Sequence, residues 1–511
     1  MDKNSKHSST ETQQWPPISY EELVWEEAST DGSTSNGSVT ITKGKGNIGS
    51  IGNDASDDAN KKTVEDSGKQ GSSSHRSARI GFGSFSPDRS TETHYQAALP
   101  LLIAERSVTI SDDLSARISA ILVEMARFDV ELAQRADNVP TMLLRSESSA
   151  SSQIDRLTST AQSVALAELY PKASSDARLV VANMAATEKA LELPPGLTLE
   201  GIVSINSVLV DDRDLDDPLN GQLAAQPNNE LSSKSSNSSG SKSAGKSDAE
   251  SNGKKLDGKS DSKLDNQTYS AFEKFRQKPV WHGGTSFTPH TALFVSPAFQ
   301  RVPEYMADLI EFGTRSDLNP VVKAAILYAQ FETVHPFLTA NGPTGRALVH
   351  HIFKESGVLS STLIPVSVGF LHNIDSLLDA LRLYREGNPI AIIEEFVDAL
   401  EVALFVSRVT EASIESVLED WDGLVGHRKG SKIRMLPKTL VKQPVVNSAY
   451  LAESLGVTQR TATTLILRAC EYGMLRHMGK KQRGDFYQSD AIINVLDEIN
   501  QASTFRTIRI A

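Results

Sequence analysis

Two long tracts almost free of large apolar side chains set the first limit on how this chain folds. Residues 27 to about 90 are rich in Ser, Gly, Asp, Asn and Lys. Residues 219 to about 266 hold the run NNELSSKSSNSSGSKSAGKSDAESNGKKLDGKSDSK. Such composition cannot bury enough surface to offset the chain entropy lost on folding, so both tracts are predicted to be disordered. They explain an apolar share of 39%, low for a globular protein. The 511 residues set a length prior of about three domains. A short motif, Trp15-Pro16-Pro17 through Trp25-Glu26, precedes the first tract. Isolated aromatics in a polar region either dock onto a folded domain or form a local cluster, and the sequence leaves both open.

The rest reads as mainly helical. Leu114, Ile118, Ile121, Leu122 and Met125 recur at helical spacing behind Ser111-Asp112-Asp113, a sequence suited to an N-cap. Further helical patterns cover roughly 141–169, 175–192, 198–210, 301–312, 320–333, 344–355, 375–386 and 389–406. One hairpin stands out among them. Pro279-Val280-Trp281 and Leu293-Phe294-Val295 flank a broad turn with Gly283, Gly284 and Pro289.

Charge separates the C-terminal part. The chain carries a net −12, yet residues 431–488 hold ten Lys and Arg against three Asp and Glu. The order there is helix (Tyr450–Leu455), turn (Gly456-Val457-Thr458), helix (Gln459–Tyr472), then a hairpin around Gly479–Gly484. That is the order of a winged helix-turn-helix. Its second helix would offer Gln459, Arg460, Thr461 and Thr464 to a major groove, and Lys480, Lys481 and Arg483 would meet phosphates. A protein-contact role for the same fold is the alternative.

A single cysteine, Cys470, excludes a disulfide framework and a Cys-based zinc site. The first residues, MDKNSKHSSTETQQ, show no apolar secretory segment, and no run of about 18 apolar residues would span a membrane. The expectation is a cytoplasmic protein without membrane contact.

The stretch most informative about chemistry runs from Glu332 to Arg346, ETVHPFLTANGPTGR. An apolar helix should stop before His335-Pro336, because a residue preceding proline avoids the helical region. A loop with Asn341 and Gly342 follows, and a new helix is expected from about Thr344. Backbone N–H groups at such a junction attract anions. An imidazole at one edge and Arg346 at the other would suit a general base and a phosphate ligand.

These residues resemble the signature of Fic proteins (the Fic/Doc family), H-P-F-x-[D/E]-G-N-G-R-x-G-R. The flanks are similar as well: Ala329–Glu332 to the helix before the motif, Val280–Gly284 with Phe294–Pro297 to the family's hairpin flap, and Phe275-Arg276 to the segment before it. Tyr95–Ile103 is similar to an N-terminal extension common in bacterial members. The resemblance implies a mainly α Fic-type core (the Fido fold) with a β-hairpin flap and a C-terminal winged helix-turn-helix. The implied domains are 1–90, largely disordered with the Trp/Pro motif; 91–192, the N-terminal Fic extension; 193–408, the core interrupted by 219–266; and 430–497, the winged helix.

The resemblance also implies an activity: transfer of AMP from ATP to a Ser, Thr or Tyr hydroxyl of a target protein. His335 would take the hydroxyl proton. Asn341, Gly342, Thr344, Gly345 and Arg346 would bind the nucleotide, Arg346 on the terminal phosphate, and magnesium would accompany ATP. Three positions depart from the signature. Thr339 replaces the acid that holds the metal, Ala340 replaces a glycine and so disfavours a positive φ, and Pro343 replaces the first arginine and removes a donor. No protein metal ligand is therefore assigned. Upstream, Ser151 to Asp155 resembles the family's inhibitory helix motif [S/T]-x-x-x-E-[G/N], with Asp155 for Glu and Arg156 for the last residue. Asp155 would need a closer helix to reach Arg346.

Three readings follow. One is an adenylyltransferase weakened by its motif and repressed by Ser151 and Asp155. Another is an inactive Fic pseudoenzyme used as adaptor or nucleotide sensor. The third is a DNA-binding regulator whose Fic core dimerises. The partners expected are a target protein the sequence does not identify, duplex DNA through 431–488, and a second copy of the chain as a homodimer.

Overall fold

The computed structural model describes residues 14–25, 94–135, 138–210, 274–284, 288–425, 432–481 and 484–500. The tracts 27–90 and 219–266 lie outside the described residues. The chain divides into two units, Met1–Glu21 with Ala97–Ala511, and Glu22–Gln96. In the smaller unit, Trp25 meets Tyr95 edge to face, with centroids 6.1 Å apart. Strands β1 (Ser19–Val24) and β2 (His94–Leu99) form a two-stranded sheet that the hydrophobic pattern did not announce.

The large unit is built from helices. α1 (Asp112–Ala133) begins where expected: Ser111 Oγ accepts from the Leu114 N–H at 3.2 Å, and Asp112 and Asp113 complement the dipole of the first turn. The expected helix over 141–169 is two, α2 (Val139–Ile154) and α3 (Ala161–Ala167). Arg156 sits at φ 64°, a left-handed residue that no helix tolerates, and the chain turns there. α4 (Ser175–Glu192) and α5 (Leu199–Leu209) follow, each opened by a Ser or Thr cap, Ser174 and Thr198.

The hairpin pairs β3 (Trp281–His282) with β4 (Phe294–Val295), Trp281 opposite Val295 and His282 opposite Phe294. Then come α6 (Val302–Gly313), α7 (Pro320–Val334), α8 (Asn341–Glu355), α9 (Val366–His372) and α10 (Ile374–Arg385). α11 (Pro389–Val425) runs well past its expected end, because Ile414 and Trp421 continue its buried stripe. α7 is buried on nearly every side, as its continuous apolar run requires.

α2 is buried too, although it reads RSESSASS. Most of its long polar side chains find a partner. Arg145 pairs with Glu168 at 2.8 Å, Glu147 accepts from the Ser367 N–H at 2.9 Å and meets His350 Nε2 at 3.1 Å, and Ser152 accepts from Asn183 at 3.2 Å. Small serines let neighbouring helices approach closely, and the hydroxyls of Ser146, Ser151 and Ser152 are hydrogen-bonded.

The C-terminal part contains α12 (Leu436–Lys442), β5 (Val445–Val446), α13 (Ser448–Leu455), α14 (Gln459–Glu471), β6 (Arg476–Lys481), β7 (Gly484–Gln488) and α15 (Asp490–Asn500). The strands form an antiparallel sheet in the order β5-β7-β6. This part grips both sides of the α2–α3 turn. Gln153 donates to the Asn500 carbonyl at 3.4 Å, and Asp497 accepts from the Ala161 N–H at 3.1 Å. At the other end of the chain, the Trp15 N–H and Ile18 N–H donate to the carbonyls of Gly387 and Arg385, and Glu21 pairs with Arg301. The Trp/Pro motif therefore docks. Among the described residues no helix is long and apolar enough to cross a membrane.

α9 and α11 cross with almost no gap. A Cβ on Gly369 would lie 2.0 Å from the Ala399 carbonyl oxygen. Backbone meets backbone there, so no rotamer relieves the clash. Gly369→Ala is expected to cost about 3 kcal/mol, the upper range of overpacking, read as a shift in the denaturant midpoint at constant m.

Candidate functional site

α7 ends at Val334 because Pro336 closes the helical region to the residue before it. His335 instead adopts the left-handed conformation, φ 49° and ψ 66°. The buried Arg276 fixes it there. Its Nε donates to the His335 carbonyl at 2.6 Å, and its remaining N–H groups reach the carbonyls of Val334, Pro297 and Lys278. Its own N–H donates to the Pro336 carbonyl at 2.9 Å.

The His335 ring is oriented by its own helix. Nδ1 lies 2.8 Å from the Glu332 carbonyl oxygen. A carbonyl only accepts, so Nδ1 carries the proton and Nε2 keeps its lone pair. Burial pushes the proton affinity of His335 well below the ordinary histidine value, and His282, Arg276 and Arg385 push it further. His282, on the hairpin, meets the ring edge-on with centroids 4.3 Å apart, and burial lowers it to about 4. His335 is thus neutral at pH 7, the form that accepts a proton.

The loop after His335 is tied internally. Asn341 accepts from the Phe337 N–H and donates to the Phe337 carbonyl, both at 2.9 Å. Its amide is committed to the turn and is not free for a phosphate in this conformation. Thr344 donates to the Ala340 carbonyl, and Asn206 of α5 donates to Thr344 Oγ1 and to the Thr339 carbonyl, each at 3.1 Å. α8 starts at Asn341, three residues earlier than expected, because Pro343 in a first turn sacrifices no intrahelical bond. Ala340 caps the helix at φ 60°, the positive φ that its side chain was expected to resist.

Arg346 is fully engaged. Its Nε donates to Ser151 Oγ at 2.8 Å, and its Nη2 donates to the Ser151 carbonyl at 2.9 Å and to Asp155 Oδ2 at 2.8 Å. Asp155 reaches it because α2 ends there, in contact, so the shorter acid suffices. The pair sits over the start of α8. A Cβ on Gly342 would lie 2.9 Å from Arg346 Nη1 and 3.0 Å from Asp155 Oδ1. Gly345 serves packing, facing Phe331 and Tyr328 of α7. Net of its burial, Arg346 is held above the ordinary arginine range by Asp155, Tyr328 and Glu332.

His335, Asn341, Gly342, Thr344, Gly345, Arg346, Ser151 and Asp155 therefore belong to one site. The residues expected at a DNA groove stand elsewhere. Gln459, Arg460 and Thr461 are exposed at the start of α14, Lys480 and Lys481 fall on β6, and Arg483 lies outside the described residues. Sequence reasoning gave no role to Arg276, His282, Glu332, Arg385 or Asn206. Buried charge beside the motif was the only signal, and it is invisible without the fold.

The donor set does not fit magnesium. Thr339 brings no charge, and the nearby carboxylate of Asp155 is held by Arg346. Among the described residues no group of three or more His, Cys, Asp or Glu is placed to hold a metal ion.

A left-handed alanine costs about 1 kcal/mol that glycine avoids. Ala340→Gly is therefore expected to stabilise the protein by about that much, seen as a raised melting temperature. A lowered one would show that the entropy of glycine in the unfolded chain outweighs the relief.

The sequence model of the Fic/DOC family matches residues 262–353, from ahead of the hairpin to the end of α8. A probable protein adenylyltransferase of Aquifex aeolicus is 24% identical over 191 residues, covering 37% of this chain and 56% of that protein. The chain thus spans little more than half the length of this curated relative. Among solved structures, a Fic family protein from Desulfovibrio desulfuricans aligns with TM-score 0.40 at 18% identity, over 75% of this chain and 97% of that one. A Fic domain containing signaling protein from Bacteroides thetaiotaomicron aligns with TM-score 0.30 at 12% identity, over 58% and 96%. The family match falls on the segment that carries His335, the turn stapled by Asn341, and Arg346, and residues 262–353 of the chain are a Fic/DOC family segment.

Proposed function

We propose that this protein is a Fic-type adenylyltransferase held in a repressed state by Ser151 and Asp155 and weakened by the residues at 339 and 343. The observation that carries the reading is the seat of Arg346: a side chain suited to a terminal phosphate is occupied by a carboxylate at the start of α8. The Aquifex relative's description as a probable protein adenylyltransferase supports the chemistry. In the reaction, Nε2 of His335 takes the proton of a target Ser, Thr or Tyr hydroxyl. The freed oxygen attacks the α-phosphorus of ATP, the bond to the β-phosphate oxygen breaks, and pyrophosphate leaves. The N–H groups at the start of α8 and a released Arg346 would hold the phosphates. No step is assigned to magnesium.

The test is labelling with ATP tagged on the α-phosphate. The parent should label faintly or not at all. Asp155→Gly with Thr339→Asp and Pro343→Arg should label clearly, and adding His335→Ala should abolish it. The substitutions meet at one ligand, so their effects are not expected to add. A triple variant that binds ATP yet labels nothing would favour the pseudoenzyme reading, which the poor magnesium donor set supports.

The C-terminal part is read as a winged helix with α14 as its recognition helix. Thr458 caps α14, and Gln459, Arg460, Thr463, Thr464, Leu467 and Arg468 form its exposed face. Binding of duplex DNA should weaken by roughly 0.9 log units per phosphate contact per decade of salt. Changing Lys480, Lys481 and Arg483 together should flatten that slope. Salt-insensitive binding, or none at low salt, would move this part to protein contact.

A further inference from the structure

Glu332 stands in the last turn of α7 and contributes two groups to one edge of the His335 ring. Its carbonyl oxygen accepts from Nδ1–H at 2.8 Å, and its carboxylate Oε2 lies 3.7 Å from Nδ1, within ion-pair reach. Both side chains are close to nine-tenths buried. The other carboxylate oxygen, Oε1, is buried without a hydrogen-bond partner. Such an atom is costly to keep, and a buried acid so placed calls for a reason. The surroundings of His335 supply one. His282, Arg276 and Arg385 all disfavour a proton on the ring, yet the proposed reaction leaves one there.

We propose that Glu332 is a positioning residue for His335, orienting the ring through its Nδ1 edge and supplying the counter-charge when Nε2 takes up the hydroxyl proton. This rests on the adenylyltransferase reading. The target O–H bond breaks, its proton goes to Nε2, the oxygen bonds to phosphorus, and Glu332 neither gains nor loses an atom.

The groups facing Glu332 tie it to the Arg346 latch. They are His335 and Tyr328 on its own helix, Arg346 from α8, Asp155 from the end of α2, and Arg385 from α10. Burial raises the carboxyl, Arg346 lowers it, Asp155 raises it and Arg385 lowers it, and the net is a carboxyl pushed up to about 7. At neutral pH the group is divided between its two forms. Withdrawal of Asp155 removes one influence that keeps it protonated. An open latch thus favours the ionised carboxylate, and the ionised carboxylate favours proton uptake by His335. The carboxylate, rather than the imidazole, then sets the acid limb of activity.

The test uses the full chain with carbon-13 at histidine Cε1, followed by NMR through the neutral range, the His335 signal being assigned with His335→Gln. Because the two groups titrate as a pair, His335 should show a small step near pH 7 that belongs to Glu332. Glu332→Gln should erase it, and Asp155→Asn should move it to lower pH. The other histidine signals report whether each variant keeps its fold. A parent without the step, or a step that survives Glu332→Gln, overturns the proposal. This arm needs no activity, so it stands if the adenylyltransferase reading fails. In a variant that labels, Glu332→Gln should lower kcat about tenfold or more with KM for ATP unchanged. An unchanged kcat there also overturns it.

Discussion

One buried guanidinium holds the site in shape. Arg276 is 1% exposed, and its N–H groups reach four carbonyl oxygens drawn from the end of α7, the hairpin and the chain on either side of it. A planar fork with five donors can bind several carbonyls at fixed angles, which an ammonium on a flexible stem cannot. Two of the carbonyls it collects, those of Val334 and His335, have no helical partner because α7 has stopped there. Without Arg276 these carbonyls would lose its donors, and His335 would lose one of the contacts that hold its left-handed conformation. The same charge lowers the proton affinity of the ring beside it. Geometry and electrostatics at the candidate base thus trace to one side chain.

α2 shows a second economy. A helix that reads as polar is buried with its principal polar groups matched: Arg145 by Glu168, Glu147 by Ser367 and His350, Ser152 by Asn183, Ser151 by Arg346. Its polarity is not surface polarity displaced inward but a set of addresses, each read by a different neighbour. The last address is Arg346, so the helix that orders the core also occupies the site.

Much of this was legible in the sequence, for identifiable reasons. The turn at His335-Pro336 follows from proline sterics, the hairpin from its glycines, and the α1 boundary from Ser111. Helix–turn–helix–hairpin order over 450–488 matches α13, α14, β6 and β7 because Thr458 and Gly473 punctuate it strongly. The break between α2 and α3 was not legible, since the turn that puts Arg156 at positive φ is closed by backbone hydrogen bonds, Arg156 N–H to Gln153 and Leu157 N–H to Ser152, and no glycine or asparagine marks it. Ala340 misled for the same reason: the contacts of Asn341 and Thr344 outweigh what its own side chain prefers. Glu332 and Arg276 stood in plain view, yet their importance lies in their burial, which a one-dimensional pattern does not carry.

The docked tryptophan has a temporal meaning. Trp15 lies far along the chain from its partners, which are the carbonyls of Ser107 and Gly387 and the ring of Tyr384. Its seat does not exist until the helices before and after Gly387 have formed. Closing so long a loop adds little to the entropy already lost, since that penalty grows only with the logarithm of length. The segment is therefore a late signature on a finished fold. Gly387, at φ 93° with the Trp15 carbonyl where a Cβ would be, is the place that receives it. The segment is fastened only after helices hundreds of residues away have folded.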